Sequence, residues 1–102
     1  MARGPLTSIL SQRAQQEIDQ AERWWRENHG TFALVDAIAA ALNRLEAFPE
    51  IGARVKRRGR WLTTRKYILS SVGYHLYYDY EPRTQVITVR SFWHEKRWPP
   101  KF

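Results

Sequence analysis

The sequence predicts an α+β fold. An N-terminal strand leads into an antiparallel two-helix hairpin packed on one face of a twisted antiparallel β-sheet, in the order β-α-α-β-β-β. Three observations carry this. Apolar residues repeat at helical spacing from residue 11 to residue 48. From residue 61 onward the period changes to the alternation of strands, with many β-branched and aromatic residues. The gaps between the last apolar runs are too short to join anything but antiparallel neighbours. At 102 residues the chain makes a single domain, residues 1–102, with a modest core.

Leu6-Thr7-Ser8-Ile9-Leu10 reads as the additional first strand. Ser11 is a helix N-cap, its hydroxyl placed to accept from an otherwise unpaired backbone N–H. Ala14, Ile18, Ala21 and Trp25 follow at spacings of four, three and four, which sets them on one helical face. Gly30 stops the helix, because glycine takes the left-handed C-cap conformation without strain. Thr31 then caps a second helix whose apolar face is Val35, Ile38, Leu42 and Leu45, and Pro49 ends it. So short a connection between amphipathic helices makes a helical hairpin.

Gly52 to Gly59 reads as a basic loop. Three strands follow: Trp61 to Leu69, Tyr74 to Tyr80, and Val86 to His94, separated by turns at Ser70-Ser71-Val72-Gly73 and Glu81-Pro82-Arg83-Thr84. Tyr74, Leu76, Tyr78 and Tyr80 share one face of the middle strand; His75, Tyr77 and Asp79 share the other. Alternation in the last strand groups Ile87, Val89 and Trp93 against Thr88, Arg90, Phe92 and His94. The tail Trp98-Pro99-Pro100-Lys101-Phe102 is expected to be non-helical, since two prolines preclude a helix.

Charge divides the chain sharply. Residues 1–50 hold seven acids and five bases, residues 51–102 three acids and twelve bases, and the whole carries +7. Positive charge confined to one half faces a negative partner: nucleic acid, a membrane surface or an acidic protein. Aromatics make up 14% of residues, with five Trp and five Tyr, enough to serve both core and interface. No cysteine is present, which excludes disulfides and thiolate chemistry and suits a cytoplasmic location. The N-terminal apolar patch is too short for a signal-peptide core or a membrane span.

The chemistry open to such a chain is narrow. His29, His75 and His94 lack metal-ligand spacing, so no metal or other cofactor is expected. Asp79, Glu81 and Glu95 do not form a carboxylate pair for hydrolysis, and no glycine-rich phosphate loop exists. What remains is a basic and aromatic surface. Arg65 with Tyr67, His75 with Tyr77, and Arg90 with His94 each share a strand face. If those faces coincide, they form one patch able to bind phosphate and stack bases. Such a patch can also cleave RNA, arginine stabilising the phosphorane and His or Tyr moving protons. The plainer reading stands beside it: solvated sheet residues and a solubilising loop. Trp24 and Trp25 cannot both face the core, so one of them awaits a partner or the N-terminal strand.

Three segments together resemble toxins of the RelE/ParE superfamily, the toxic halves of type II toxin–antitoxin pairs. They are Leu10-Ser11-Gln12-Arg13-Ala14 with Glu17-Ile18 and the Trp24-Trp25 helix; Phe48-Pro49-Glu50-Ile51-Gly52; and Arg65, then Gly73-Tyr74-His75-Leu76-Tyr77-Tyr78, then Val89-Arg90-Ser91-Phe92-Trp93-His94 with Arg97. The resemblance runs from about Leu10 to Pro100. It implies a helical hairpin on an antiparallel sheet. It also implies a cognate antitoxin, for which Trp24, Trp25, Arg57 and Arg58 are the candidate contacts. RelE-like members are ribosome-dependent mRNA endonucleases, whereas ParE-like members poison DNA gyrase.

Against the RelE-type pattern, Arg65 falls where a lysine stands and Tyr67 falls at the next. His75 replaces the arginine after the Gly-Tyr pair, and Arg97 matches the late arginine. No tyrosine follows it; Trp98 and Phe102 stand in the tail instead. The expected function is therefore a ParE-like, non-catalytic inhibitor of gyrase, with Arg65, Tyr67, His75, Tyr77, Arg90, His94 and Arg97 as candidate target contacts. The alternative is a RelE-like mRNA endonuclease acting on the ribosome through Arg65, His75, His94 and Arg97. A third reading is a non-toxic nucleic-acid-binding module.

Overall fold

The computed structural model describes residues 6–97. The tail from Trp98 to Phe102, expected to be non-helical, lies outside the described residues. The elements are β1 (Thr7–Leu10), α1 (Gln12–His29), α2 (Ala33–Ala47), β2 (Ala53–Arg57), β3 (Arg60–Leu69), β4 (Tyr74–Glu81) and β5 (Val86–His94). They form a five-stranded sheet in the order β1-β5-β4-β3-β2, with both helices packed against it.

The sheet is mixed. β2 to β5 are antiparallel neighbours, as their short connections require, but β1 pairs parallel with β5. The chain between β1 and β5 holds two helices and three strands, ample length for a parallel return. The Thr7 amide donates to the Gln85 carbonyl and the Ser11 amide to the Val89 carbonyl, so β1 feeds directly into the cap of α1.

Ser11 caps α1 as expected, its Oγ accepting from the Ala14 amide at 3.1 Å. Gly30 closes the helix at φ 66°. The second cap differs from expectation: Phe32 holds the N-cap position and makes no side-chain bond. Thr31 Oγ1 instead accepts from the Trp25 indole at 3.1 Å and reaches the Ala33 amide at 3.4 Å. The inward face of α2 is also rotated from that read in the sequence. Leu34, Ile38, Ala41 and Leu45 are buried, whereas Val35 is exposed and Leu42 half-buried. Both stripes have helical spacing; the small Ala41 lets the helix approach the sheet, which selects the stripe that contains it.

The basic segment after Gly52 is a strand, not a loop. β2 pairs with β3 through a two-residue turn, Arg58-Gly59, with φ of 52° and 77°. Positive φ at both central residues is the turn geometry that follows the twist of a β-ribbon. An arginine in the first of these positions hides the signal that Asn-Gly would give.

One β-bulge decides which residues of β5 face the helices. Tyr77 pairs with Ser91 and Tyr78 with Val89, leaving Arg90 as the extra residue. Strict alternation therefore fails beyond it. Phe92 joins Ile87 and Val89 in the core and stacks on Tyr74 at 4.7 Å, while Trp93 lies opposite His75. The α1 carboxylate Glu17 secures the bulge, accepting from Ser91 Oγ at 2.7 Å and from the Phe92 amide at 3.2 Å.

The passage from α2 to the sheet is held by Tyr78, which is fully buried. Its hydroxyl donates to the Pro49 carbonyl at 2.8 Å and accepts from the Gly52 amide at 2.9 Å. A Cβ at Gly52 would lie 2.7 Å from that hydroxyl oxygen and 3.0 Å from the Lys66 carbonyl, so only glycine fits without displacement. Gly52→Ala is expected to cost about 1–3 kcal/mol by overpacking, measured as a lower denaturation midpoint with unchanged slope.

Candidate functional site

Register assigns the candidate residues to different faces. On β3, Arg65, Tyr67 and Leu69 lie opposite Tyr78, Leu76 and Tyr74, the residues that face the helices. Arg65 Nη1 donates to the Gly52 carbonyl at 2.8 Å and to the Glu50 carbonyl at 3.0 Å. Tyr67 packs against the core. Both sit on the opposite face of the sheet from His75 and Tyr77, so the single patch of the sequence analysis does not assemble. The error is one of parity: a four-residue turn between Leu69 and Tyr74 sets these two opposite each other, which fixes Arg65 opposite Tyr78.

The open face carries Lys66, opposite Tyr77; His75, between Ile68 and Trp93; and Asp79, between Thr64 and Thr88. Lys66 and Trp93 were not among the sequence candidates, and the same parity would have found Lys66. The His75 and Tyr77 rings meet edge to face at 6.5 Å. Arg90 also reaches this face, but its Nη1 is bonded to Asp79 Oδ2 at 2.8 Å, and Asp79 Oδ1 accepts from Thr64 Oγ1 at 2.7 Å. Arg90 is thus half of an ion pair.

His94 and Arg97 occupy a third place. His94 lies opposite Tyr74, meets its ring edge-on at 5.1 Å, and accepts at Nδ1 from the Lys96 amide. The Arg97 guanidinium lies 4.4 Å over the Trp93 ring. With Glu17, Gln20 and Trp24 of α1, these residues line a groove of about 410 Å³. The Trp93 indole N–H is buried beside it without a hydrogen-bond acceptor.

Of the two α1 tryptophans, Trp25 packs against the core and Trp24 is 49% exposed at the groove. His29 stacks on Trp25 at 4.2 Å. Arg57 and Arg58 belong to the β2–β3 hairpin, at the sheet edge opposite β1 and β5. The four candidate antitoxin contacts therefore fall into two separate patches.

Electrostatics sharpen the chemistry. Burial holds the His75 imidazole below its ordinary 6.5, and Lys66 and His94 push the same way while Glu95 opposes them. Burial raises the Tyr77 phenol, and it raises Tyr74 against the pull of Arg97. At neutral pH the open face thus carries a neutral His75 imidazole, while the un-ionised Tyr77 phenol is buried at 5% exposure. The imidazole can accept a proton, but the Arg65 Nη1 group that would stabilise a phosphorane is spent on two carbonyls across the sheet. No group of three or more metal-ligating side chains occurs among the described residues, and no helix there is long and apolar enough to cross a membrane.

The family model described as ParE toxin of type II toxin–antitoxin system, parDE, matches residues 9–99. The chain belongs to the ParE toxin family. A search of curated protein sequences returns no match. The solved structures it is similar to include the RelBE2 toxin–antitoxin complex of Mycobacterium tuberculosis, with a TM-score of 0.67 and 15% identity over 89% of this chain and 99% of that one. The intact E. coli RelBE toxin–antitoxin complex gives a TM-score of 0.62 at 25% identity, covering 90% of this chain and 99% of that one. The isolated E. coli RelE toxin gives 0.62 at 25%, covering 91% and 87%. This ParE-family toxin thus has the α+β architecture of the superfamily, with the expected element order and one further strand, β2.

The depressed His75 imidazole gives this toxin a pH signature. The unfolded chain takes up the proton first as pH falls below 6.5, so stability present above that value is lost as pH drops toward the folded value. Thermal melts between pH 7.5 and 5 are expected to fall with acidification, and His75→Gln to flatten that fall.

Proposed function

We propose that this ParE-family toxin inhibits DNA gyrase by binding it, and that a cognate antitoxin neutralises it. The supporting observation is the separation of Arg65, the cation that would stabilise a phosphorane, from the His75 imidazole. Arg65 is bound to the turn before β2, His75 lies on the opposite sheet face, and His94 and Arg97 lie by the α1 groove. A nuclease needs its base and its phosphorane-stabilising cation within reach of one phosphate. A binding toxin needs only a shaped surface. Lys66 and His75 on the open face and Arg97 stacked on Trp93 are the target contacts under this reading; Tyr77, only 5% exposed, is too buried to be one. The groove beside exposed Trp24 is the antitoxin contact, a tryptophan at a concave site being a frequent anchor.

The 25% identity to the E. coli RelE toxin favours a second reading, ribosome-dependent mRNA cleavage. The two separate on induced expression and on the purified protein. The gyrase reading predicts growth arrest with a DNA-damage response, and supercoiling that stops at near-stoichiometric toxin. Cleavage of mRNA on ribosomes with gyrase unaffected would establish the second reading instead.

A further inference from the structure

Between Glu50 and Asp79 every charged side chain is a cation. All seven, Arg54, Lys56, Arg57, Arg58, Arg60, Arg65 and Lys66, fall on the β2–β3 hairpin, five of them between Arg54 and Arg60. Register sets like charges against each other: Arg54 opposite Arg65, and Arg57 opposite Arg60. Like charges set opposite each other are destabilising across an antiparallel ladder. Backbone carbonyls of Leu62 and of Glu50 and Gly52 hold Arg54 and Arg65, and an anion along the ribbon lowers the repulsion that remains. Trp61, in the same hairpin, is 57% exposed, with the Lys56 ammonium 5.2 Å over its ring.

Edge strands often carry a lysine or two to block pairing with other chains. That role explains neither five cations nor an exposed tryptophan. A polyanion explains both. The register with β4 begins at Thr64, so toward its tip the β2–β3 pair is a two-stranded ribbon, closed by the two-residue turn at Arg58-Gly59, at the β2 edge of the sheet. The major groove of B-form DNA, about 12 Å wide, admits a two-stranded ribbon, whereas the major groove of A-form RNA is too narrow for it. An exposed indole can rest on sugar or on a thymine methyl there.

We infer that the β2–β3 hairpin is a duplex-DNA-binding arm, its cations contacting phosphates across the major groove and Trp61 providing an apolar contact. This activity reassigns Arg57 and Arg58 from the antitoxin to DNA, is distinct from the gyrase and groove contacts proposed above, and does not depend on which target the toxin has.

The test is fluorescence anisotropy of the full chain with a labelled 20-base-pair DNA duplex over a range of salt. Matched RNA duplex and single-stranded DNA serve as competitors. Lys56→Gln, Arg58→Gln and Arg60→Gln are combined in one variant. Arg23→Gln, Arg83→Gln and Lys96→Gln make a second variant of equal charge with an unaltered hairpin, and thermal melts verify the folding of both. Counterion release predicts that the hairpin variant loses about 2.7 from the slope of log K against log salt and binds on the order of a hundredfold more weakly at 0.1 M salt. The second variant is expected to keep most of the slope, and Trp61→Ala to weaken binding with the slope intact. Equal losses in the two triple variants would reduce the effect to net charge. That result, absence of binding by the parent chain, or equal or stronger binding of RNA duplex or single strand would each overturn the assignment.

Discussion

The tie between the Tyr78 hydroxyl and the Pro49–Gly52 backbone is the constraint on which the arrangement of this protein depends. Helices and sheet meet at that point. A fully buried phenol cannot leave its hydroxyl unpaired without cost, and the turn supplies one acceptor and one donor at 2.8 and 2.9 Å. Arg65 completes the same knot from the neighbouring strand by holding the Glu50 and Gly52 carbonyls. Burial raises the Tyr78 phenol, although the Gly52 amide and the Arg65 charge work against the rise, so it stays a donor throughout the physiological range. The direction in which β2 leaves the turn, and with it the position of the basic hairpin, follows from this anchoring.

The same knot shapes function. Because Arg65 lies opposite Tyr78, it belongs to the scaffold. Other cations then sit apart from one another: Lys66 on the open face, Arg97 at the α1 groove, and the group on the hairpin. The bulge at Arg90 divides them further, rotating Trp93 toward His75 and leaving Phe92 in the core. A toxin that binds its target can use such dispersed surfaces, each with its own partner, more readily than an enzyme that must focus charge on a single bond.

Much of the architecture was legible because local signals agreed with one another. Ser11 and Gly30 bracket α1, and alternation with short turns located β3, β4 and β5 to within about a residue. What escaped has physical causes. The hairpin was hidden because Arg58 occupies a position usually held by Asn or Asp, and because β2 is too charged to resemble a strand. Leu34 was passed over because two apolar stripes of α2 have equal spacing, and only packing against the sheet chooses between them. The candidate site suffered most, since membership of a face depends on register. One extra residue at Arg90 and one overlooked cross-strand parity at Leu69 and Tyr74 were enough to scatter a patch that looked continuous along the chain.

The placement of Arg65 in the scaffold is the claim on which the functional reading turns. Equilibrium unfolding of Arg65→Met, paired with its inhibition of gyrase supercoiling per folded molecule, tests it directly. Loss of about 1–3 kcal/mol of stability with inhibition per folded molecule unchanged is the expected result. Full stability combined with abolished activity would contradict it and return Arg65 to the active surface.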